Sequence, residues 1–299
     1  MLKILTVVIV IHITILIIVL LNKFVNINYE NINYEKDTYY SDLIINFDNK
    51  SLLKEDTINF PSDTFILYAY YNKNDKDSRE EYNLKFLLKN GQLDVNNIII
   101  ICHNKEIPDF IPKSIKIIHK ENHGYDFEAW YHGLKNINLS LYDKFIFLNS
   151  SCIGPFTPVW FNSLNIHWTK CFTNLLTNTV KLVGCTINHA FSKHIQSYFW
   201  CTDKIGLNLL LRNNILKERN NYSFGDTIQK LEVGMSKIIL DNGFNIKAIS
   251  MSEMLNITHG DIHHEGTYFK STINPLEIIF YKNNRLKNNI TKLYNNCYK

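Results

Sequence analysis

Four apolar residues in a row, Phe145-Ile146-Phe147-Leu148, run straight into Asn149-Ser150-Ser151 and then into the turn pair Gly154-Pro155. The run is too short for a helix and polar residues flank it, so Lys144 to Leu148 reads as a fully buried strand. Polar side chains at the end of such a strand, followed by a turn, are how an open α/β sheet presents a ligand site. A second polar tip, Gly124-Tyr125-Asp126, precedes it in the chain. The two tips can face one crevice from neighbouring strands.

The surrounding pattern fits such a sheet. Phe65 to Tyr71 reads as a first strand, and a polar loop follows from Asn72 to Asp77. Ser78 is placed to cap a helix from Arg79 to Lys89 that turns Tyr82, Phe86 and Leu87 inward, with Gly91 just past its end. Ile98 to Cys102 and Ile115 to Ile118 are the next apolar strands. Strand, helix, strand and strand, with apolar runs on both faces, predict an α/β fold: a mainly parallel sheet flanked by helices. The second half is less regular. Strands are expected at 180–187, 195–201 and 245–250, and helices at 203–213 and 231–242, the last stopped by Gly243.

A net charge of +4, with no Lys/Arg run, gives no reason to expect a nucleic-acid partner. Ile4 to Leu21 is almost wholly apolar and bracketed by Lys3 and Lys23. At 1.5 Å per residue that length just crosses a hydrocarbon core of ~30 Å. A cleaved signal peptide would end in an Ala-x-Ala-like step, which Leu20 to Val25 lacks, so an uncleaved membrane anchor is expected over 1–22. Residues 23–62 read as a polar, Asn-rich stem carrying the repeated pentapeptide Asn-Ile-Asn-Tyr-Glu, too poor in apolar surface to offset its ordering entropy. A domain over 63–285 and a polar tail over 286–299 complete the layout.

The stretches HGYDFEAW at 123–130 and YDKFIFLNSSCIGPF at 142–156 resemble the nucleotide-sugar-binding half of the rhamnan-synthesis-type glycosyltransferases, relatives of the large inverting family with a GT-A fold. Three later segments fit the same pattern in the same order: HIQSYFWCTDKIGL at 194–207, LEVGMSKIILDNGFNIKAI at 231–249 and NPLEIIFYKNNR at 274–285. The resemblance spans roughly residues 64–285. It implies a GT-A-like domain that moves a hexosyl or deoxyhexosyl group, with inversion, from a nucleotide-sugar donor to a glycan or glycoconjugate. It also favours a single-pass membrane protein with its catalytic domain lumenal or otherwise outside the cytosol.

Such a reaction needs a nucleotide pocket, charge compensation for the diphosphate and a base for the acceptor hydroxyl. Glu232, opening the expected helix LEVGMSKIIL, matches the acidic residue that starts the corresponding family helix and is the candidate base. Its competing reading is a carboxylate that merely complements the helix dipole. Asp226, in the nearby Gly225-Asp226 turn, is the second choice. Asp126 either caps its helix or, as the resemblance implies, meets the nucleotide sugar or its metal. Tyr70, Gly124, Tyr125, Asn149, Ser150 and Ser151 are the other expected donor-binding residues.

The family's usual Asp-x-Asp, which holds Mn²⁺ or Mg²⁺ against the diphosphate, is replaced here by Asn149-Ser150-Ser151. Neutral side chains are weak ligands for hard divalent ions. Either Asp126 and diphosphate oxygens hold the metal, or Lys, Arg and His side chains neutralise the leaving group. His259-Gly260-Asp261-Ile262-His263-His264-Glu265 is rich enough in ligands to bind a transition metal or phosphate, with His259 and His263 the residues of interest; an exposed polar loop is the alternative. Its Gly-Asp-x-His core occurs in metallophosphoesterases, but the further motifs that family needs are missing downstream. The six cysteines show no Cys-x-x-Cys spacing, and Cys102, Cys185 and Cys201 are expected to pack as small apolar groups. A catalytically inactive relative that binds a sugar, or serves at the membrane surface, is the alternative function.

Overall fold

The computed structural model describes residues 59–72, 79–218, 222–252, 260–264 and 266–283. The expected anchor, the stem up to residue 58, the Ser78 cap, His259, Glu265, Cys297 and the polar tail lie outside them. Among the described residues no helix is long and apolar enough to cross a membrane.

Seven strands form one sheet. In chain order they are β1 (Thr64–Tyr70), β2 (Ile98–Cys102), β3 (Lys116–His119), β4 (Lys144–Asn149), β6 (Val180–Gly184), β9 (Phe199–Asp203) and β10 (Asn245–Ala248). Their spatial order is β10-β6-β9-β4-β1-β2-β3, parallel throughout except for β9, which runs against both neighbours. Short ribbons make up the rest: β5 (Cys152–Ile153) pairs with β11 (Tyr281–Lys282), and β7 (Ile187–Asn188) with β8 (His194–Ile195).

Every residue of β1 is buried because helices cover both faces. Ile66, Tyr68 and Tyr70 share one apolar cluster with Leu84, Phe86, Leu87 and Leu88 of helix α1 (Arg79–Asn90). Phe65, Leu67 and Ala69 share the other with Phe127, Trp130 and Leu134 of α2 (Tyr125–Leu134). This is the period-2 alternation of a strand read out on two faces. Each fully buried Leu or Phe contributes roughly 1.5–3 kcal/mol. Across the reversed strand, Phe147 of β4 lies opposite Trp200 of β9 with the rings stacked at 3.8 Å.

The expected strand over 195–201 is broken into β8 and β9. The amide of Ile195 donates to the Ser236 hydroxyl (2.9 Å) and that of Ser197 to the Glu232 carboxylate (2.7 Å), so helix side chains take hydrogen bonds that a continuous ladder would use. Helix α4 (Lys204–Arg212), after the short α3 (Thr169–Thr173), is capped by Asp203, which accepts from the Gly206 amide. A Cβ at Gly206 would lie 2.1 Å from Thr202 Oγ1 and 2.6 Å from the Lys181 carbonyl, so only glycine lets α4 approach the sheet this closely.

The expected 231–242 helix begins earlier. A turn at Phe224–Asp226 leads through a π-helical turn, Thr227–Glu232, into α5 (Val233–Asp241), and the chain leaves through Gly243 at φ 79°. Glu232 therefore sits inside a helical run whose orphan amides lie around Phe224, which removes the helix-dipole reading of this residue.

Candidate active site

The chain steps outward from β1 to β2 to β3, then crosses back to place β4 on the other side of β1. The carboxyl ends of β1 and β4 thus flank a topological switch point, where open α/β sheets leave a crevice. Both polar tips identified in the sequence reach this place, and the reason is local. Gly124 takes the left-handed conformation (φ 72°) that starts α2, and Tyr125 follows at φ 55°, a strained value for an aromatic residue. One turn into α2, the Trp130 indole donates to the Leu148 carbonyl (3.0 Å) at the end of β4. That bond sets Asp126, four residues earlier, over the tip of β4, where its carboxylate accepts from Asn149 Nδ2 (2.6 Å). Asp126 does not cap α2: the cap is Gly124, without a side-chain bond.

The rest of the tip is tied down. Asn149 Oδ1 accepts from the Ser151 amide (3.0 Å) and hydroxyl. The Ser150 hydroxyl donates to the Tyr71 carbonyl (2.8 Å) and accepts from the Tyr71 amide, stitching β4 to β1. Asn149 and Ser150 are both buried. Tyr70, expected at the donor, is wholly buried on the α1 face, where burial raises the pKa of its hydroxyl.

Glu232 reaches the same crevice from the other side. The Asn149 amide donates to the Tyr198 carbonyl (3.2 Å), and the neighbouring Ser197 donates amide and hydroxyl to Glu232 Oε2. His194 Nε2 lies 3.6 Å from Oε1, while its Nδ1 bonds the Ser192 carbonyl (2.7 Å). Burial opposes the Glu232 charge, but His194, the charge of Lys282 and the Ser197 donors together hold its pKa below the usual value. Asp126 goes the other way. Dense packing strips its carboxyl of solvent and, with the Asn149 bond opposing and the Glu232 charge assisting, its pKa is pushed up to about 6. Lys282, on β11, lowers both acids. Three charged groups thus converge at one strand tip.

Asp226 is elsewhere in kind. It forms a capping box with Ser223 and a 2.6 Å ion pair with Lys230, and these hold its pKa down to about 2. His263, expected on an open loop, is fully buried, with Nε2 against the Tyr198 hydroxyl (3.0 Å) and its ring edge-on to Tyr281. It braces β11 and is out of a ligand's reach. Among the described residues no three His, Cys, Asp or Glu gather as a metal cluster. At the tip itself, Asn149 spends its carbonyl oxygen on Ser151 and only Asp126 offers a partly open carboxylate. This donor set does not fit a divalent ion held by the protein alone.

Lys282, Ser197 and His194 escaped the sequence reading as site residues. Each lies in a segment that carried the family resemblance, which was the available signal; the pairing of β11 with β5, which delivers Lys282, is not visible in the sequence. All five described cysteines are free, and Cys102, Cys185 and Cys201 are buried as expected.

The chain is 28% identical over 139 residues to virulence protein VirA of Vibrio anguillarum, covering 45% of this chain and 40% of that protein, so it spans two fifths of the length of the curated relatives it matches. Among solved structures it is similar to a cytidylyltransferase of Leptospira borgpetersenii, at 12% identity and a TM-score of 0.35 over 62% of this chain and 75% of that one. It is also similar to the 4-diphosphocytidyl-2C-methyl-D-erythritol synthase of Anaerococcus prevotii, at 13% identity and a TM-score of 0.36 over 72% and 94%. The model of rhamnan synthesis protein F matches residues 98–290, which takes in both polar tips, Glu232 and Lys282, and the chain belongs to that family.

Proposed function

We propose that this chain is a membrane-anchored glycosyltransferase with a GT-A-like domain, which transfers a sugar with inversion from a nucleotide-sugar donor to a glycan or glycoconjugate. The observation that carries the reading is the convergence of Asp126, Asn149, Glu232 and Lys282 at the switch-point crevice. In this reading the donor sugar lies against Asp126 and the strand tip. Glu232 Oε1, the oxygen not engaged by Ser197, takes the proton of the acceptor hydroxyl. The acceptor oxygen forms the new bond to the anomeric carbon as the bond to the diphosphate breaks, and the electron pair leaves with the diphosphate. The Ile4 to Leu21 segment anchors the chain, with the catalytic domain outside the cytosol.

A second reading is favoured by one feature, the depressed pKa of Glu232 and its engaged Oε2, which would suit a sugar-binding protein without turnover. A screen of donor hydrolysis and transfer across nucleotide sugars, with and without Mn²⁺, separates the two. Turnover lost in Glu232→Gln supports the enzyme. Sugar or nucleotide binding with no turnover on any donor overturns it in favour of the second reading.

A further inference from the structure

The leaving diphosphate carries two or more negative charges, and the strand tip that would meet it offers only neutral Asn149, Ser150 and Ser151 beside the acid Asp126. The positive charge must come from somewhere else. Lys282 is the cation whose field reaches both Asp126 and Glu232. Its placement is built rather than incidental. Lys282 pairs with Cys152, in the two-residue strand that follows the tip. The next residue, Asn283, donates its amide to the Ser151 carbonyl (3.0 Å) and its side chain to Asn83 Oδ1 (2.8 Å). Asn83 is buried in α1 and returns a bond to the Ser150 carbonyl (2.9 Å). The backbone that carries the lysine is thus clamped to the tip from both ends of one amide chain.

The ammonium itself lies 5.9 Å from the Tyr198 ring centre, a distance at which the ring face attracts a cation. Tyr198 is held in turn by His263 (3.0 Å) and Thr186, both buried. The Lys282 charge lowers the pKa of both Asp126 and Glu232, so it acts on the two acids of the crevice together.

We propose that Lys282 is the binding residue for the diphosphate of the nucleotide donor, in the role that a protein-held divalent ion fills where the strand tip carries two carboxylates. This rests on the nucleotide-sugar reading above and names the group that recognises the leaving group. An ammonium on a braced ribbon supplies a charged hydrogen bond to a phosphate oxygen and stabilises the charge that grows there as the glycosidic bond breaks.

The test is calorimetric binding of UDP, GDP and dTDP, each measured in EDTA and again with Mn²⁺, on the full chain in detergent and on Lys282→Met and Lys282→Arg. Circular dichroism melting establishes that the variants fold. The expected result is that wild type binds one of the diphosphates in EDTA, with affinity that falls as salt rises. Lys282→Met should weaken that binding by roughly 10- to 100-fold, the range of a charged hydrogen bond, and Lys282→Arg should recover most of it. Equal affinity of Lys282→Met and wild type in EDTA overturns the proposal while leaving the nucleotide-sugar reading intact. So does binding seen only with Mn²⁺ and to the same extent in both. A wild-type chain that binds none of the three under any condition overturns the nucleotide-sugar reading itself.

Discussion

Asp126→Asn should make the folded chain more stable at pH 8 than the wild type. The Asp126 carboxyl ionises at about 6 instead of 3.8, chiefly because packing removes its solvent. At 1.36 kcal/mol per pH unit the difference corresponds to about 3 kcal/mol. Asp126 as a residue is only half-buried, and solvent screening reduces the penalty to about 1 kcal/mol. The sign follows from proton linkage. Between pH 3.8 and about 6 the folded chain keeps a proton that the unfolded chain has lost, so stability falls as pH rises through that window and is level above it. Asparagine carries no charge, and its Oδ1 can accept the same hydrogen bond from Asn149 Nδ2.

Urea unfolding at a series of pH values measures this directly. The variant should unfold at higher urea than the wild type at pH 8, and the gap should shrink toward zero near pH 4. Adding Glu232→Gln should narrow the gap, because the Glu232 charge contributes to the raised Asp126 pKa. A variant less stable than the wild type at pH 8, or a gap that does not change with pH, would refute the electrostatic account and make Asp126 an ordinary structural acid.

Other consequences are as specific. Glu232→Gln should keep the fold, since the glutamine oxygen can still accept from Ser197, but lower turnover by roughly 10²–10⁴-fold; Asp226→Ala should leave turnover at the wild-type rate, because Asp226 is held by Ser223 and Lys230. Gly206→Ala should destabilise the chain by about 2 kcal/mol or more in thermal or urea unfolding, because its methyl group meets the Lys181 carbonyl, which cannot swing aside. Full-length protein should partition into the detergent phase uncleaved, and release of an intact chain into the aqueous phase would count against an anchor at Ile4 to Leu21.

The parts of the fold legible in the sequence are those set by local pattern. The short apolar run Phe145 to Leu148 reads as a buried strand, and a turn-forming Gly124 ahead of the apolar spacing of Phe127, Trp130 and Leu134 reads as the start of a packed helix. Their meeting at one crevice is compatible with a mainly parallel sheet but rests on the observed strand order. What escaped depends on partners far along the chain. The break at 196–198 arises because Ser236 and Glu232 capture backbone amides some forty residues away in sequence. The burial of His263 follows from Tyr198 and Tyr281, and polarity alone placed it on an open loop. The depth of Glu232 within its helical run depends on a π-helical turn, which has no composition signature.

The site bears a cost that the fold does not need. Asparagine at 126 would hold the same bond to Asn149 without a charge, and a glutamine at 232 could keep its acceptor oxygen on Ser197. The chain instead places two carboxylates where the Glu232 charge opposes the ionisation of Asp126, and it holds one lysine beside them with a two-residue ribbon, an Asn83–Asn283 clamp and a buried Tyr198–His263 pair. The Glu232 charge is compensated by His194, Lys282 and Ser197, whereas the Asp126 charge is not, and a local choice that runs against stability in this way is expected where a chain meets a ligand. In the proposed reading the ligand is a nucleotide sugar facing its acceptor, which brings a charged end for Lys282 and a hydroxyl for Glu232.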